Sequence, residues 1–229
     1  MNKISNLNAR IFANLASLKE LTLHHNQLTY IPAGLFQGLR KMEGLILHNN
    51  RISGIAQNAF DDLTSLKRLE LSDNKISNLP NGLFDRMGKL RYLLMKNNSI
   101  TQLGNNQFSS LSSLEQLKLE ENQIQTIAPS AFSRLSRLTH LYLNKNKLSI
   151  ISKEVFKDLK KLAYLKLDDN AISNIESGTF TNLQSLISLT LSGNQLSSMD
   201  PQLLNPLTNL DVLKLSNNQF TAISRDMFS

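Results

Sequence analysis

Three histidines near the start of the chain are the residues whose type and spacing best suit metal binding. His24 and His25 are adjacent, and His48 follows His24 after 24 residues. Two imidazoles could begin a zinc site, but zinc takes three or four protein ligands. The residue another 24 positions on is Ser72, a poor zinc ligand. We therefore expect exposed imidazoles with a mild pH response, and we predict neither a metal site nor a cofactor.

Residue types for catalysis and for several other ligand classes are scarce. The chain has no Cys, which excludes disulfides, thiolate metal sites and cysteine nucleophiles. It lacks the GxSxG, HExxH, GxxxxGK[ST] and GxGxxG motifs, so we do not expect an enzyme. With no Trp and only 6% aromatic residues, stacking on nucleic-acid bases is poorly supported. There is no leader and no apolar run of about 18 residues, so membrane contact would need segments outside this sequence.

The strongest pattern is a repeat of 24 residues that runs the length of the chain. Leucines recur in the order L-x-x-L-x-L, with an occasional Met in their place. An asparagine follows each such motif, in the series Asn2, Asn26, Asn50, Asn74, Asn98, Asn122, Asn146, Asn170, Asn194 and Asn218. A second series consists of Phe12, Phe36, Phe60, Phe84, Phe108, Phe132, Phe156 and Phe180, followed by Leu204 and Phe228. No insertion breaks the phase.

The unit LxxLxLxxNxLxxLxxxxFxxLxx resembles the leucine-rich repeat, in the 24-residue form typical of extracellular animal proteins, over all 229 residues. The resemblance implies an α/β-class, right-handed solenoid with a parallel β-sheet on the concave face and a mostly irregular or short helical convex side. We divide this single domain, 1–229, into a partial repeat 1–17, eight full repeats over 18–209 and an incomplete ninth over 210–229. The cysteine-rich caps of extracellular family members are absent, so we expect a larger protein around this segment.

The chemistry of the repeated residues agrees with such a solenoid. The two leucines of L-x-L point the same way from a strand, so we expect them to face the interior. An asparagine amide both donates and accepts, so each Asn of the series can bond turn backbone groups in its own and neighbouring coils. The phenylalanines would stack coil upon coil as a spine on the convex side.

The outward positions of the strands do not repeat, which is the pattern of a binding surface on a constant framework. Three of the four tyrosines lie at these positions within four consecutive coils. The predicted ligand-binding patch comprises Tyr92, Leu94, Gln116, Lys118, His140, Tyr142, Tyr164 and Lys166. Exposed Tyr beside apolar and cationic groups has the composition of a protein–protein hot spot. The alternative is that Tyr simply suits β-strands.

Acidic pairs at the predicted strand ends could in principle bind calcium. Glu120 and Glu121 form one pair, and Asp168 and Asp169 form the other. The coils that carry them are not adjacent, so the two pairs would be about 10 Å apart. We expect a solvated acidic rim rather than a calcium site.

Basic residues gather along one flank, in a chain of net charge +7. They precede or begin the predicted strands and comprise Arg40, Lys41, Lys67, Arg68, Lys89 and Arg91. Lys157, Lys160 and Lys161 form a second cluster. A sulfated glycan or an acidic protein could bind such a flank, and ordinary solubilising charge is the alternative. Some receptors of the resembled family bind nucleic acid, but the stacking aromatics and motifs for it are missing here.

One N-glycosylation acceptor occurs, at Asn97-Asn98-Ser99. In a sequence this rich in Asn, Ser and Thr, such a triplet also arises by chance, so its two interpretations are equally supported.

The resemblance extends to Toll-like receptors, Slit-type guidance proteins, neuronal adhesion proteins and lamprey variable lymphocyte receptors. It implies protein recognition by the concave face of an extracellular or cell-surface receptor or adhesion protein, in signalling, cell adhesion or innate immunity. The alternative is a scaffold or regulatory module, either in the secreted matrix or in the cytoplasm. Cysteine caps, a signal peptide and a membrane span in flanking sequence would favour the first.

Overall fold

The computed structural model describes residues 2–222. Nine strands of similar length form one sheet: β1 (Glu20–Thr22), β3 (Gly44–Ile46), β5 (Arg68–Glu70), β6 (Tyr92–Leu94), β8 (Gln116–Lys118), β10 (His140–Tyr142), β12 (Tyr164–Lys166), β14 (Ser188–Thr190) and β15 (Val212–Lys214). Six shorter strands pair beside it: β2 (Tyr30–Ile31) with β4 (Gly54–Ile55), β7 (Gln102–Leu103) with β9 (Thr126–Ile127), and β11 (Ile150–Ile151) with β13 (Asn174–Ile175).

All strands pair in parallel, and the nine-stranded sheet follows chain order. Each pairing joins residues one repeat apart, as between Leu69 and Leu93 or Leu93 and Leu117. Because the register never shifts, equivalent residues of successive coils form straight columns across the sheet. The predicted leucine-rich solenoid is confirmed.

Leucines of the L-x-L motif form the core. Leu69 and Leu71 of one coil are completely buried, and so are Leu117 and Leu119 two coils later. The residue between each pair points to the other side of the sheet, because side chains alternate along a strand. Each fully buried leucine contributes about 1.5–3 kcal/mol through the removal of apolar surface from water.

Turns on the convex side hold a column of phenylalanines. Phe36, Phe108 and Phe180 are at most 1% exposed. Neighbouring rings stack in two runs, from Phe12 to Phe60 and from Phe84 to Phe180, with centroids between 5.7 Å (Phe84 to Phe108) and 6.5 Å (Phe12 to Phe36) apart. Residues 2–222 contain no helix, so the irregular form of the predicted convex side is the one adopted.

Asparagine side chains join each coil to the coil before it. The Nδ2 of Asn122 donates to the carbonyl of Leu119 in its own coil, at 3.1 Å, and to that of Met95 in the preceding coil, at 3.0 Å. Its Oδ1 accepts from the backbone N–H of Ile100 at 3.0 Å. The same three kinds of bond recur at Asn50, Asn74, Asn98, Asn146, Asn170, Asn194 and Asn218.

A left-handed residue precedes each of these asparagines. The series is His25, Asn49, Asp73, Asn97, Glu121, Lys145, Asp169, Gly193 and Asn217, with φ between 51° and 68°. This conformation is unfavourable for Glu and Lys, which occupy it at Glu121 and Lys145. We call the column of asparagines that follows these residues the asparagine ladder. The hydrogen bonds of each ladder asparagine offset the conformational cost at the residue before it and hold the turn.

Candidate functional site

Four adjacent strands carry the eight residues of the predicted ligand-binding patch. The pairing of β6, β8, β10 and β12 aligns them in two rows. The first row is Tyr92, Gln116, His140 and Tyr164, and the second is Leu94, Lys118, Tyr142 and Lys166. We call these eight residues the central patch.

Aromatic rings contact one another at the middle of the central patch. The rings of His140 and Tyr164 stack with their centroids 4.5 Å apart and an interplanar angle of 18°. The ring of Tyr142 lies 6.2 Å from that of His140 on the same strand. Tyr164 is 37% exposed, which leaves one ring of the stack open to a ligand.

Two lysines flank Tyr142 on the neighbouring strands. The Nζ of Lys118 lies 5.4 Å from the centroid of the tyrosine ring, and that of Lys166 lies 5.2 Å from it. Both distances fall within the range of a cation–π contact. Leu94, in contrast, is only 7% exposed, so it offers a ligand little apolar surface.

Burial favours the uncharged forms of two rings of the central patch, those of His140 and Tyr142. It lowers the pKa of His140, and the positive charge of Lys118 lowers it further. It raises the pKa of Tyr142, although a hydrogen bond with Gln116 partly opposes that shift. A neutral imidazole and a protonated phenol can both donate and accept hydrogen bonds.

The contacts of several groups beside the central patch were not predicted from the sequence. The Arg91 guanidinium lies 5.5 Å from the centroid of the Tyr92 ring and forms two bonds with Glu115, at 2.8 and 2.9 Å. Glu120 Oε2 and Asn144 Oδ1 are buried without a hydrogen-bond partner among the described residues. Burial also raises the pKa of Glu120. The 24-residue period could have indicated the contact between Arg91 and Glu115, which occupy equivalent positions of adjacent coils.

Three imidazoles cluster at the amino-terminal end of the same sheet. The rings of His24 and His48 stack at 4.7 Å, and His25 lies edge-on to both, at 5.1 and 5.4 Å. His25 therefore contacts both His24 and His48, the two histidines that the 24-residue period places side by side. Within residues 2–222, however, no three His or acidic side chains are placed to share a metal ion. Burial lowers the pKa of His48, whose Nδ1 lies 2.9 Å from Asn49 Nδ2.

Several acidic groups at the strand ends form ion pairs or accept hydrogen bonds within the chain. Glu121 Oε1 lies 3.2 Å from Lys145 Nζ and 3.6 Å from Lys96 Nζ. The Asp168 carboxylate accepts hydrogen bonds from the backbone N–H of Ser192, at 3.0 Å, and from the hydroxyl of Thr190. These contacts engage one oxygen of Glu121 and both oxygens of Asp168, which favours the expected acidic rim over a calcium site.

Ion pairs neutralise much of the basic flank. Arg40 pairs with Asp62 at 3.7 Å, and Lys67 pairs with Glu43 at 2.7 Å. Arg68 pairs with Glu70 of its own strand, also at 2.7 Å, and Arg91 with Glu115. The row of positive charge that a sulfated glycan would need is therefore interrupted by carboxylates. Binding of a sulfated glycan stays a prediction that this geometry does not favour.

The predicted glycosylation acceptor lies on the surface. Asn97 and Ser99 are both exposed. Asn97 has a φ of 51°, and its Nδ2 donates to Asp73 Oδ1 at 2.8 Å. Glycosylation at Asn97 stays a prediction.

The fold and the asparagine ladder define a class of protein, and comparison with known families identifies it. The family model for the leucine-rich repeat matches residues 1–52, 40–100, 93–148, 117–172, 136–196, 161–220 and 188–229. The chain belongs to the leucine-rich repeat family. The leucine-rich repeat solenoid is a scaffold for protein interaction. The described residues include no helix that is long and apolar enough to cross a membrane.

Similar proteins include a receptor and a bacterial leucine-rich repeat protein. The chain is 49% identical to the leucine-rich repeat-containing G-protein coupled receptor 5 of Xenopus tropicalis over 49 residues. This aligned segment makes up 21% of this chain and 5% of the receptor. A leucine-rich repeat protein of Leptospira interrogans aligns with a TM-score of 0.86 and 28% identity, over 98% of this chain and 55% of that one. The chain thus spans about half of that protein and a small part of the receptor.

Two further solved structures are complexes with other molecules. The leucine-rich repeat chain of FLRT2, in a complex with Latrophilin 3 and Unc5D, aligns with a TM-score of 0.69 and 27% identity, over 93% of this chain and 71% of that chain. The receptor of a TLR13–ssRNA13 complex aligns with a TM-score of 0.68 and 25% identity, over 97% of this chain and 43% of that chain.

Proposed function

We propose that this chain recognises a protein ligand through the central patch of its concave sheet. The observation that carries the proposal is the stack of His140 on Tyr164 beside Tyr142, with Lys118 and Lys166 around it. Rings held by neighbouring strands lose little conformational entropy on binding, which is why Tyr is enriched at interface hot spots. The patch lies on four paired strands, so its geometry is set before a ligand arrives.

We further propose that the chain belongs to an extracellular or cell-surface receptor or adhesion protein. The similarity to the frog receptor supports this location, as does the similarity to FLRT2, which is found with protein partners. A protein ligand is also favoured over nucleic acid, because the basic flank is largely ion-paired.

Site-specific photo-crosslinking tests which face binds. The photoreactive residue p-benzoylphenylalanine replaces Tyr142 or Tyr164 in two variants, and Tyr30 in a third. Tyr30 is the matched control, since it is an exposed strand tyrosine (51%) outside the nine-stranded sheet. After irradiation with membrane and secreted proteins of the source organism, we expect one discrete protein adduct at Tyr142 and Tyr164 and none at Tyr30. Absence of adducts at both concave positions, or equal adducts at Tyr30, would overturn the proposal.

The protein captured in this way then serves as the probe for affinity. We expect Tyr142→Ala and Tyr164→Ala each to weaken its binding by about 1–3 kcal/mol without unfolding the chain. Tyr30→Ala should leave the affinity unchanged. The measurement is titration calorimetry, with circular dichroism as the check on folding. Unchanged affinity in both concave variants would remove the central patch as the binding site.

A further inference from the structure

Two lysines of the central patch have no acidic partner. Within the described residues, the lysines that form ion pairs are Lys67, Lys96, Lys145 and Lys157. Lys118 and Lys166 are not among them, and the ammonium group of each lies over the ring of Tyr142. A tyrosine ring compensates an ammonium group only partly, so both groups retain capacity for an anion.

The acids nearest this pair lie in the neighbouring row and form no ion pair with it among residues 2–222. Burial raises the pKa of Glu120, which weakens its charged form, although the charges of Lys118 and Lys96 oppose that effect. The Asp168 carboxylate accepts hydrogen bonds from Ser192 and Thr190, which direct both of its oxygens to the next coil. Two ammonium groups without an ion pair therefore lie beside the Tyr142 ring, in the middle of an otherwise polar and aromatic patch.

The register sets the geometry of the pair. Lys118 and Lys166 lie on β8 and β12, one strand to each side of Tyr142 on β10. Side chains on alternate strands of a sheet are about 9.6 Å apart at their backbones. Long lysine side chains can converge over that gap on one anionic group, to which the protonated phenol of Tyr142 can also donate.

We propose that the partner inserts an acidic side chain, an Asp or Glu carboxylate on an exposed loop, between Lys118 and Lys166 above Tyr142. This inference rests on the proposed function and names the chemistry of its partner. The neighbouring row, Glu120, Asn144 and Asp168, limits the positive region to one or two anionic groups. Glu120 and Asp168 of that row disfavour ligands of higher charge density, such as a polysulfated glycan or a nucleic acid, more than they disfavour an acidic peptide.

A titration with defined probes tests the acidic-partner inference. The ¹⁵N-labelled chain is titrated with hexaglutamate, hexalysine or a heparin hexasaccharide, and backbone amide shifts are followed by NMR. We expect hexaglutamate to shift resonances of β8, β10 and β12 in a saturable way, and hexalysine to leave them unmoved. The inference is overturned if hexaglutamate moves none of these strands, or if the hexasaccharide binds them more tightly than hexaglutamate does.

Variants with equal loss of charge separate this pair from general attraction. We expect Lys118→Gln with Lys166→Gln to weaken hexaglutamate binding at least tenfold. Lys75→Gln with Lys153→Gln removes two exposed lysines outside the patch and should change it less than twofold. Equal effects of the two double variants would contradict the inference.

The cross-linked partner distinguishes the two proposals. If a protein is captured at Tyr142 but binds the Lys118→Gln, Lys166→Gln variant with unchanged affinity, the acidic-partner inference fails and the proposed function stands. If no protein is captured at Tyr142 or Tyr164, the proposed function fails, whatever hexaglutamate does.

Discussion

The buried framework and the central patch are built from the same coils, but they satisfy their polar groups very differently. In the framework, Asn122 bonds both its own coil and the preceding one, and the leucines around it are fully buried. In the patch, Lys118 and Lys166 form no ion pair among residues 2–222, and nearby Glu120 Oε2 and Asn144 Oδ1 are buried without a hydrogen-bond partner there. The comparison teaches that stability resides in the repeated columns, which leaves the outward positions free to serve a ligand.

The largest expected effect comes from the phenylalanine spine. Phe108→Ala should lower the free energy of unfolding by about 3–5 kcal/mol, because it leaves a cavity between two stacked neighbours. Phe12→Ala, at a half-buried position with one stacking partner, should cost less than half as much. Urea unfolding followed by circular dichroism measures both. Equal small losses would mean that the spine is not part of the stabilising framework.

The asparagine ladder should give the next largest effect. Asn122→Ala leaves a buried N–H and two buried carbonyls short of a partner, so we expect a loss of about 2–4 kcal/mol in unfolding free energy. Asn26→Ala removes bonds that are partly open to water, and a loss of about 1 kcal/mol is expected. Differential scanning calorimetry would rank the two. A smaller loss at Asn122 than at Asn26 would break the comparison between buried framework and surface.

The smallest effect concerns pH. The folded pKa values of His48 and His140 are lowered, so the unfolded chain binds more protons as pH falls through about 6.5. Stability should therefore decline between pH 7 and pH 5. Glu120, whose pKa is raised, acts in the opposite direction, because its folded form takes up a proton first.

The histidine contribution is best measured in a Glu120→Gln background, which removes that opposing group. Thermal melting at pH 7, 6 and 5 should show a decline that the added changes His48→Gln and His140→Gln largely abolish. If the melting temperature depends on pH in the same way after those two substitutions, groups other than His48 and His140 determine that dependence. The carboxylates with lowered pKa values, Glu43, Glu115, Glu121 and Asp200, act only at lower pH, near and below their ordinary range.

The sequence was sufficient to predict the columns but not the contacts within them. A period of 24 residues determines which side chains are neighbours, so the pairing of Tyr92 with Gln116 followed directly. It says nothing of side-chain rotamers or of local turns. The residues of the basic flank therefore look unpaired in the sequence. In the structure, Lys67 and Arg91 form ion pairs with acidic residues one coil away. The period aligns only His24 with His48 within the histidine cluster, because it does not reveal the left-handed backbone at His25 that brings this ring to both.

The constant register also has a consequence for folding. Side-chain hydrogen bonds in the described part of the chain join residues at most 27 positions apart, so each coil interacts with its immediate neighbours and with little else. The loops that must close during folding are all of similar, modest length, and nucleation can occur in any stretch and spread in both directions. The chain is then a one-dimensional cooperative array, in which a damaged coil uncouples the two segments that it separates.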